Sequence, residues 1–324
     1  MKKTGIIGGA GFIGSHITKK FLTEGYDVRV SVRDLSQKEK YAHLHALENA
    51  ASHLEIVAMD VQDEAALRDF LQDCDIVVHS GTPFQLDVQD PQRDLLDPTI
   101  KGTENFLQVA SEIASLKKVV FVGSVASLNT SYPLPVPSRP DDGVYANDVY
   151  TEADEPYLDT NDHPYTQAKY YADQVVRKYV KSHPDLGFEV VSVYPTFVAG
   201  QSLSGRDDSS SMGIQYLFKN KIAPNPFVEM MFAKNVEFAI VWVVDVAEGI
   251  FRAATTAGLH GKNYLLTGDS YKLSDITLML NEQEPVDAAR TVYSSAAATQ
   301  DLGVQFQPAH VPFNEWAQAN AVSV

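Results

Sequence analysis

Residues 4–14 read TGIIGGAGFIG, a short apolar run followed by a turn built largely of glycine. Glycines let the backbone pass tightly from a strand into a helix and come close to a ligand. The free N–H groups and positive dipole end of such a helix attract phosphate. Two dinucleotide-binding patterns fit, G-x-G-x-x-G from Gly9 and G-x-x-G-x-x-G from Gly8. The turn therefore predicts a bound dinucleotide without choosing a subtype.

The first half of the chain alternates apolar runs with amphipathic segments. The apolar runs lie at 4–7, 28–32, 54–58, 76–79 and 119–122, and the helical patterns at 12–24, 38–48, 64–71 and 95–113. This alternation predicts an α/β protein with a doubly wound parallel sheet, the Rossmann fold, whose ligands lie at the carboxyl ends of the strands. We expect residues 1–193 to form the dinucleotide-binding portion, with 237–258 returning to it. Residues 194–236 and 259–324 would form a smaller C-terminal substrate-binding lobe.

Charge and cysteine content narrow the classes of function. The 324 residues carry a formal net charge of −16, whereas nucleic-acid binding needs an excess of Lys and Arg, so we expect no nucleic-acid partner. We expect no membrane association, because no run of about eighteen apolar residues is present to span a bilayer. The single cysteine, Cys74, excludes an internal disulfide and fits a cytoplasmic location. No H-E-x-x-H pattern or similar cluster occurs, so we expect no metal.

The end of the second predicted strand bears on the choice of cofactor. An acidic residue there binds the ribose 2′-hydroxyl of NAD, whereas an arginine accepts the 2′-phosphate of NADP. Val32 occupies the position of the acid, Arg33 follows it, and Lys38 and Lys40 lie downstream. This pattern predicts a preference for NADP(H) and leaves NAD(H) open. The alternative is a surface arginine paired with Asp34.

A tyrosine and a lysine at helical spacing are the candidate proton-transfer groups. Tyr165 and Lys169 fall in a predicted helix at 164–181, where an i, i+4 spacing puts both side chains on one face, about 6 Å apart. An ammonium lowers the pKa of a nearby tyrosine, which can then exchange a proton with a developing alkoxide. Ser124 ends the apolar strand 119–122, so its hydroxyl would face the cofactor cleft and a substrate oxygen. The alternatives are an exposed helical pair and a capping serine.

The order of glycine turn, strand-end serine and Tyr-x-x-x-Lys helix resembles the extended short-chain dehydrogenase/reductase superfamily, the NAD-dependent epimerase/dehydratase family. Within it the sequence is similar to the branch of dihydroflavonol reductases, cinnamoyl-CoA reductases and aldehyde or ketone reductases. Further segments carry this resemblance: HSGTP at 79–83, PTIKGT at 98–103, YPT at 194–196, VDVA at 244–247, and VRD at 32–34 as in the NADPH users of the branch. The resemblance weakens after Tyr271.

The resemblance implies a role for each matched residue. Tyr165 would donate or accept the proton, Lys169 would hold the nicotinamide ribose and lower the tyrosine pKa, and Ser124 would hold the substrate oxygen. With the glycine motif, it gives these cofactor-binding positions: Gly8, Gly11, Phe12, Ile13, Gly14, Arg33, Lys40, Asp60, Val61, Gly81, Thr82, Tyr165, Lys169, Pro195 and Thr196. Candidate substrate-pocket residues are Phe84, Tyr132, Phe197, Met230 and Trp242.

Three features depart from this branch, and one is the turn at 243–245, VVD, which lacks the first of two frequent acidic residues. Gly123 stands where relatives often carry a hydroxyl residue. The segment 161–164 reads NDHP, which is not the extended motif of cinnamoyl-CoA reductases and argues against that specific activity.

Three functions are compatible with these features. The favoured one is an NADPH-dependent reductase that converts a small aldehyde or ketone into an alcohol. The second is a nucleotide-sugar epimerase or dehydratase on the same scaffold, which needs basic groups for a diphosphate; here the candidates are scattered, such as Arg206, Arg252 and Arg290. The third is a non-catalytic NADP-binding regulator, which would not use the serine, tyrosine and lysine. A small-molecule carbonyl or alcohol is the expected partner, and a homodimer through segments 95–113 and 164–181 remains open.

Overall fold

The computed structural model describes residues 2–81, 90–136, 149–204 and 210–320. The strands in chain order are β1 (Lys3–Ile7), β2 (Asp27–Val32), β3 (Leu54–Ala58), β4 (Ile76–His79), β5 (Lys118–Val122), β6 (Glu189–Pro195), β7 (Phe197–Ala199), β8 (Glu237–Trp242), β9 (Asn263–Leu266) and β10 (Ser270–Lys272). The helices are α1 (Phe12–Thr23), α2 (Ala50–His53), α3 (Glu64–Leu71), α4 (Asp97–Ser111), α5 (Pro164–Ser182), α6 (Ser210–Asn220), α7 (Pro226–Lys234), α8 (Val243–Thr255), α9 (Leu273–Leu280), α10 (Ala296–Leu302) and α11 (His310–Ala319).

Seven of these strands form one parallel sheet in the order β3-β2-β1-β4-β5-β6-β9. Successive side chains of a strand point to opposite faces, so each strand supplies two cores. Val78 and the buried side chains on the same face of the sheet pack with α1 and α8. Val77 and the buried side chains on the opposite face pack with α3, α4 and α5. Because both faces are covered by helices, the central strands β4 and β5 are buried along their whole length. The predicted Rossmann fold is confirmed.

The order of the strands reverses at β1, which pairs with β2 on one side and β4 on the other. Connections on the two sides of such a point run over opposite faces of the sheet. They leave a crevice at the carboxyl ends of the central strands. The glycine turn begins directly after β1 and therefore lies at this crevice.

The small sheet has the order β10-β8-β7 and, with α6, α7, α9 and α11, encloses a separate core. Two strands differ from the expected division of the chain. Residues 237–258 were expected to return to the Rossmann portion, but β8 pairs only within the small sheet, while α8 packs on the large one. Residues 259–324 were expected in the lobe, but β9 pairs with β6 and extends the large sheet.

The prediction of an α-helix at 38–48 is wrong. The segment forms two short 3-10 helices, Lys38–Lys40 and Ala42–Ala46. Within it only Tyr41 and Leu44 are buried, and short helices depend on tertiary packing because nucleation is costly. The apolar contact here is too small to hold a longer α-helix.

A buried polar network fixes α5 against the sheet. The Tyr194 hydroxyl donates to Asp173 Oδ1 at 2.7 Å and accepts from Arg177 Nη2 at 2.9 Å. Asp173 and Tyr194 are each 0 % exposed, so both polar groups depend on these bonds. The ring of Tyr194 lies over Gly123, where an added Cβ would come within 2.8 Å of Tyr194 Cδ1. Helix α5, which carries Tyr165 and Lys169, is thereby held in one position relative to the ends of β5 and β6.

Candidate functional site

The glycine turn between β1 and α1 leaves no room for side chains. A Cβ added to Gly14 would lie 2.0 Å from the Gly8 carbonyl oxygen, and one added to Gly8 would lie 3.0 Å from Gly81 Cα. Gly8 also has a φ of 79°, a conformation that favours glycine. In the described chain no side chain caps α1 at Gly11, and its first turn contains no acidic residue. The positive end of α1 is therefore suited to a phosphate.

A cavity of about 450 Å³ lies beside this turn, over the carboxyl ends of β1, β2 and β4. Seven predicted cofactor residues line it: Gly8, Gly11, Arg33, Lys40, Asp60, Val61 and Gly81. Phe12, Ile13 and Gly14 form the first turn of α1 beside it. Thr82 lies outside the described residues.

Several residues that the sequence did not single out also line the cavity. They include Ser31, Gln37 and Tyr41, and the cavity is lined as well by His79 and Thr99 of the HSGTP and PTIKGT segments. Ser31 Oγ accepts a hydrogen bond from the Gly8 amide at 3.3 Å, which ties β2 to the turn. A polar residue near the end of a buried strand is the signal that could have identified Ser31.

Arg33 is exposed at the mouth of the cavity. The neighbouring Asp34 carboxylate instead accepts hydrogen bonds from the Ser36 amide and from Gln37 Nε2, each at 2.8 Å. Within the described residues Arg33 forms no ion pair, so Asp34 does not neutralise it. The guanidinium and the ammonium of Lys40 both border the same cavity, which gives this end of the cavity a positive character.

Helix α5 holds Lys169 against the end of β5, the strand that Ser124 follows. Lys169 Nζ donates to the Val122 carbonyl at 3.4 Å, and Ser127 Oγ donates to the Lys169 carbonyl at 3.2 Å. Ser124 lies between these two contact points, so α5 carries Lys169 alongside it. Lys169 Nζ is 6.0 Å from the centroid of the Tyr165 ring, as the i, i+4 spacing predicts.

Local sequence places Tyr165 at the beginning of α5. His163 caps the helix by accepting from the Tyr165 amide at 3.2 Å, and Pro164 occupies the first turn, where it needs no amide hydrogen. A π-helix at Gln92–Leu96 precedes α4, and its Leu95 and Leu96 pack with Ala168 and Tyr165. Such π segments interrupt α-helices mostly at functional sites.

Burial shifts the pKa values of Tyr165 and Lys169 in opposite directions. It raises the pKa of the Tyr165 hydroxyl and lowers the pKa of the Lys169 ammonium to about 8. The sequence predicts a lowered tyrosine pKa through the nearby ammonium, but in the structure burial has the larger effect. Tyr165 is therefore a neutral phenol at neutral pH, a form that can donate a proton.

Pro195 and Thr196 lie at the end of β6, next to the end of β5. Pro195 is in register with Leu266 of β9, and the Thr196 amide donates to the Leu266 carbonyl at 3.2 Å. The Thr196 hydroxyl is paired with the hydroxyl of Thr267 at 3.2 Å. Both residues therefore share the sheet edge of Ser124.

Three of the predicted substrate-pocket residues belong to one apolar cluster in the lobe. Phe197 is part of its core, and Tyr132 and Met230 pack against it. The Tyr132 hydroxyl donates to the Ala239 carbonyl at 2.9 Å, so it is occupied by the backbone.

Trp242 lies apart from this cluster. Its Nε1 donates to Glu315 at 2.8 Å, and its ring packs on Gly200 and against the core of the large sheet. Phe84 lies outside the described residues.

The described residues contain neither a candidate metal site nor a candidate membrane-spanning helix. No group of three or more His, Cys, Asp or Glu side chains in this part of the chain could hold a metal ion. In the same residues, no helix combines the length and apolar character needed to cross a bilayer.

Comparison with known proteins defines the class. The sequence profile of the NAD dependent epimerase/dehydratase family matches residues 5–266, and the chain belongs to this family. It is 28% identical over 325 residues to a cinnamoyl-CoA reductase of Medicago truncatula, covering 97% of this chain and 94% of that protein. It is 29% identical over 202 residues to a dihydroflavonol 4-reductase of Hordeum vulgare, covering 61% of this chain and 54% of that protein.

A solved structure with the same fold is the methylglyoxal/isovaleraldehyde reductase Gre2 of yeast, complexed with NADPH. It superposes with a TM-score of 0.78 at 20% identity, covering 98% of this chain and 97% of that one. The likeness extends over both the large sheet and the lobe, and it establishes the fold.

Replacing Gly14 by Ala tests the role of the turn. The added Cβ would meet the Gly8 carbonyl at 2.0 Å and displace the amides that face the cavity. We expect Gly14→Ala to lose detectable binding of both NADPH and NADH, measured by fluorescence titration. Gly187→Ala is the control, because its Cβ would meet nothing within 4 Å. Wild-type affinity in Gly14→Ala would contradict this role.

Proposed function

We propose that this protein is an NADPH-dependent reductase that converts a small aldehyde or ketone into an alcohol. The observation that carries the proposal is the position of Lys169, one turn of α5 after Tyr165, against the end of β5, which Ser124 follows. The glycine turn and its cavity lie at the same sheet edge. The relatives named above as reductases support the same class of reaction.

The residues fit a nicotinamide dinucleotide. The turn excludes side chains where backbone and phosphate must approach, and the cavity is lined by Arg33 and Lys40 at one end. When bound, NADPH supplies the hydride that reaches the carbonyl carbon. Arg33 would bind the 2′-phosphate, since Asp34 is occupied by Ser36 and Gln37.

The chain's own residues stabilise and neutralise the charge that forms on the substrate oxygen. Ser124 Oγ accepts from the Ala126 amide at 3.2 Å, which leaves its hydroxyl hydrogen to donate to the carbonyl. Tyr165, kept protonated by burial, donates its proton to the developing alkoxide. The Lys169 ammonium then stabilises the phenolate that remains. The fixed position of α5 keeps Tyr165 and Lys169 at a constant position relative to the end of β5.

The epimerase or dehydratase alternative lacks support in the lobe. Arg252 forms an ion pair with Glu248 at 2.6 Å, and Arg290 forms one with Glu237 at 3.2 Å. Arg206 lies outside the described residues. Two of the three arginine candidates are therefore already in ion pairs. The apolar cluster around Phe197 favours a small uncharged substrate.

The proposal also includes a cytoplasmic location and a set of residues that face the substrate. The free thiol of Cys74 is buried, as suits a reducing compartment. Tyr132, Phe197 and Met230 would face the substrate from the lobe. A homodimer through α4 and α5 stays a prediction.

A substrate panel combined with a tyrosine variant tests the reaction. We expect NADPH absorbance to fall with simple aldehydes or ketones and to stay constant with nucleotide sugars. Tyr165→Phe should lower kcat by about 10²–10⁴-fold, because the proton donor is lost, while NADPH affinity is kept. Tyr170→Phe on the same helix is the control. Full activity of Tyr165→Phe would refute the assigned donor, and nucleotide-sugar conversion without net cofactor turnover would favour the alternative.

The lowered pKa of Lys169 leads to a prediction for how kcat/KM depends on pH. Its pKa of about 8 means that the ammonium is charged below that pH and neutral above it. We therefore expect kcat/KM for reduction to fall as pH rises through about 8. Lys169→Arg keeps its charge there, so its residual activity should show no such fall. An identical alkaline fall in both proteins would exclude Lys169 as its source.

Arg33 predicts the cofactor preference. We expect the wild type to have a lower KM for NADPH than for NADH. Arg33→Ser should raise the KM for NADPH roughly tenfold, because a charged hydrogen bond is lost, and should leave the KM for NADH unchanged. Arg68→Ser, which removes an ion pair with Glu112 elsewhere, is the control. A clear NADH preference of the wild type would overturn the cofactor assignment.

A further inference from the structure

Tyr165 is the second residue of α5, which begins at Pro164. The first turn of a helix frays most readily, because its amides lack partners within the helix. A proton donor must stay within hydrogen-bond reach of the substrate oxygen, and a displacement of about 1 Å can cost about 10²-fold in rate. The contact of Lys169 with β5 lies one turn further along. The beginning of α5 therefore needs an anchor of its own.

The segment before α5 is anchored through one carboxylate. Asp162 Oδ2 accepts hydrogen bonds from Thr130 Oγ1 at 2.7 Å and from Ser131 Oγ at 2.8 Å. Thr130 Oγ1 also accepts a hydrogen bond from the Asp159 amide at 2.9 Å. Hydrogen bonds to a carboxylate are roughly twice as strong as those between neutral groups. Thr130 is buried and Asp162 is half-buried, so water competes little for these bonds.

The two hydroxyls belong to the turn that follows Ser124. The Ser127 amide donates to the Ser124 carbonyl at 2.8 Å. The Asn129 amide then donates to the Val125 carbonyl at 2.9 Å, and Thr130 comes next in the chain. Ser124 and Thr130 therefore lie in one continuous hydrogen-bonded segment.

On its other side, Asp162 is joined to the first turn of α5. Gln167 Nε2 donates to the Asp162 carbonyl at 2.8 Å, and Thr166 Oγ1 donates to the His163 carbonyl at 2.8 Å. Burial raises the pKa of Tyr165. We therefore expect Asp162 to act on the position of the tyrosine hydroxyl and not on its acidity.

We infer that Asp162 is a positioning residue, which fixes the hydroxyl of Tyr165 relative to Ser124 by joining the two segments that carry them. The inference rests on the proposed function, in which Tyr165 is the proton donor. It gives a role to the NDHP segment at 161–164, which departs from the branch that the sequence resembles.

A double-mutant cycle tests this role. Asp162→Ala removes the acceptor of both hydroxyls. It should lower kcat for carbonyl reduction about 10–100-fold and leave the Kd for NADPH unchanged. In a Tyr165→Phe background the same substitution should have no further effect on kcat, because Asp162 acts through the tyrosine hydroxyl. A merely structural aspartate would lower kcat by the same factor in both backgrounds.

Two further variants complete the cycle. Asp162→Asn keeps an oxygen that can accept from both hydroxyls, so it should retain most of the wild-type kcat. Ser131→Ala removes one of the two donors and decides the question if Asp162→Ala does not fold. It should lower kcat by a smaller factor, and only where Tyr165 is present.

Asp154→Ala is the matched control. Asp154 Oδ2 accepts from the Thr151 amide at 2.7 Å and from Thr151 Oγ1 at 3.2 Å. This variant therefore also loses two hydrogen bonds to a carboxylate, in a turn that does not lead into α5. We expect its kcat to equal that of the wild type.

The outcomes separate this inference from the proposed function. An unchanged kcat in Asp162→Ala, or an equal fall in both backgrounds, would overturn the positioning role while NADPH-dependent reduction by the wild type stands. Full activity of Tyr165→Phe alone would overturn the proposed donor and, with it, this inference.

Discussion

The backbone between Gly8 and Gly14 passes so close to itself that a single methyl group would fill the gap. This closeness lets α1 begin immediately after β1 and point its N-terminus across the end of the sheet. It also brings the turn against Gly81 at the end of β4, so the two central strands of the sheet end at one place. The cavity, its basic mouth at Arg33 and its inner wall at His79 all follow from that meeting of strand ends.

The proton-transfer group depends on a second constraint, which is the dense packing of α5. Burial makes Tyr165 hard to ionise and makes Lys169 easier to deprotonate. A neutral phenol beside a cation is poised to give its proton to an alkoxide, whereas a phenolate would be poised to take one. In the proposed reaction, the neutral phenol is the form that gives a proton to the alkoxide of a carbonyl substrate.

The parts of the fold that depend on short-range pattern could be predicted from the sequence. Strands β4 and β5 are short apolar runs between amphipathic segments, and the glycine turn follows a local rule. Strand β9 could not be found in this way, because its place is determined by pairing with β6, far away in the chain. The 3-10 segments at 38–46 depend on how little apolar surface that region buries. Among the site residues, Arg33 follows from its position after a strand, whereas the bonds from Thr130 and Ser131 to Asp162 join distant segments and arise only in the folded chain.

The contact between Gly123 and Tyr194 constrains how this sequence can change over evolution. The tyrosine ring occupies the space beside residue 123, and its hydroxyl holds the carboxylate of Asp173. A lineage could not introduce a hydroxyl residue at position 123 in one step, since the ring would first have to become smaller. A smaller side chain at position 194 would in turn leave the buried carboxylate of Asp173 with one donor fewer. The two positions are therefore coupled, and neither can change by a single neutral substitution.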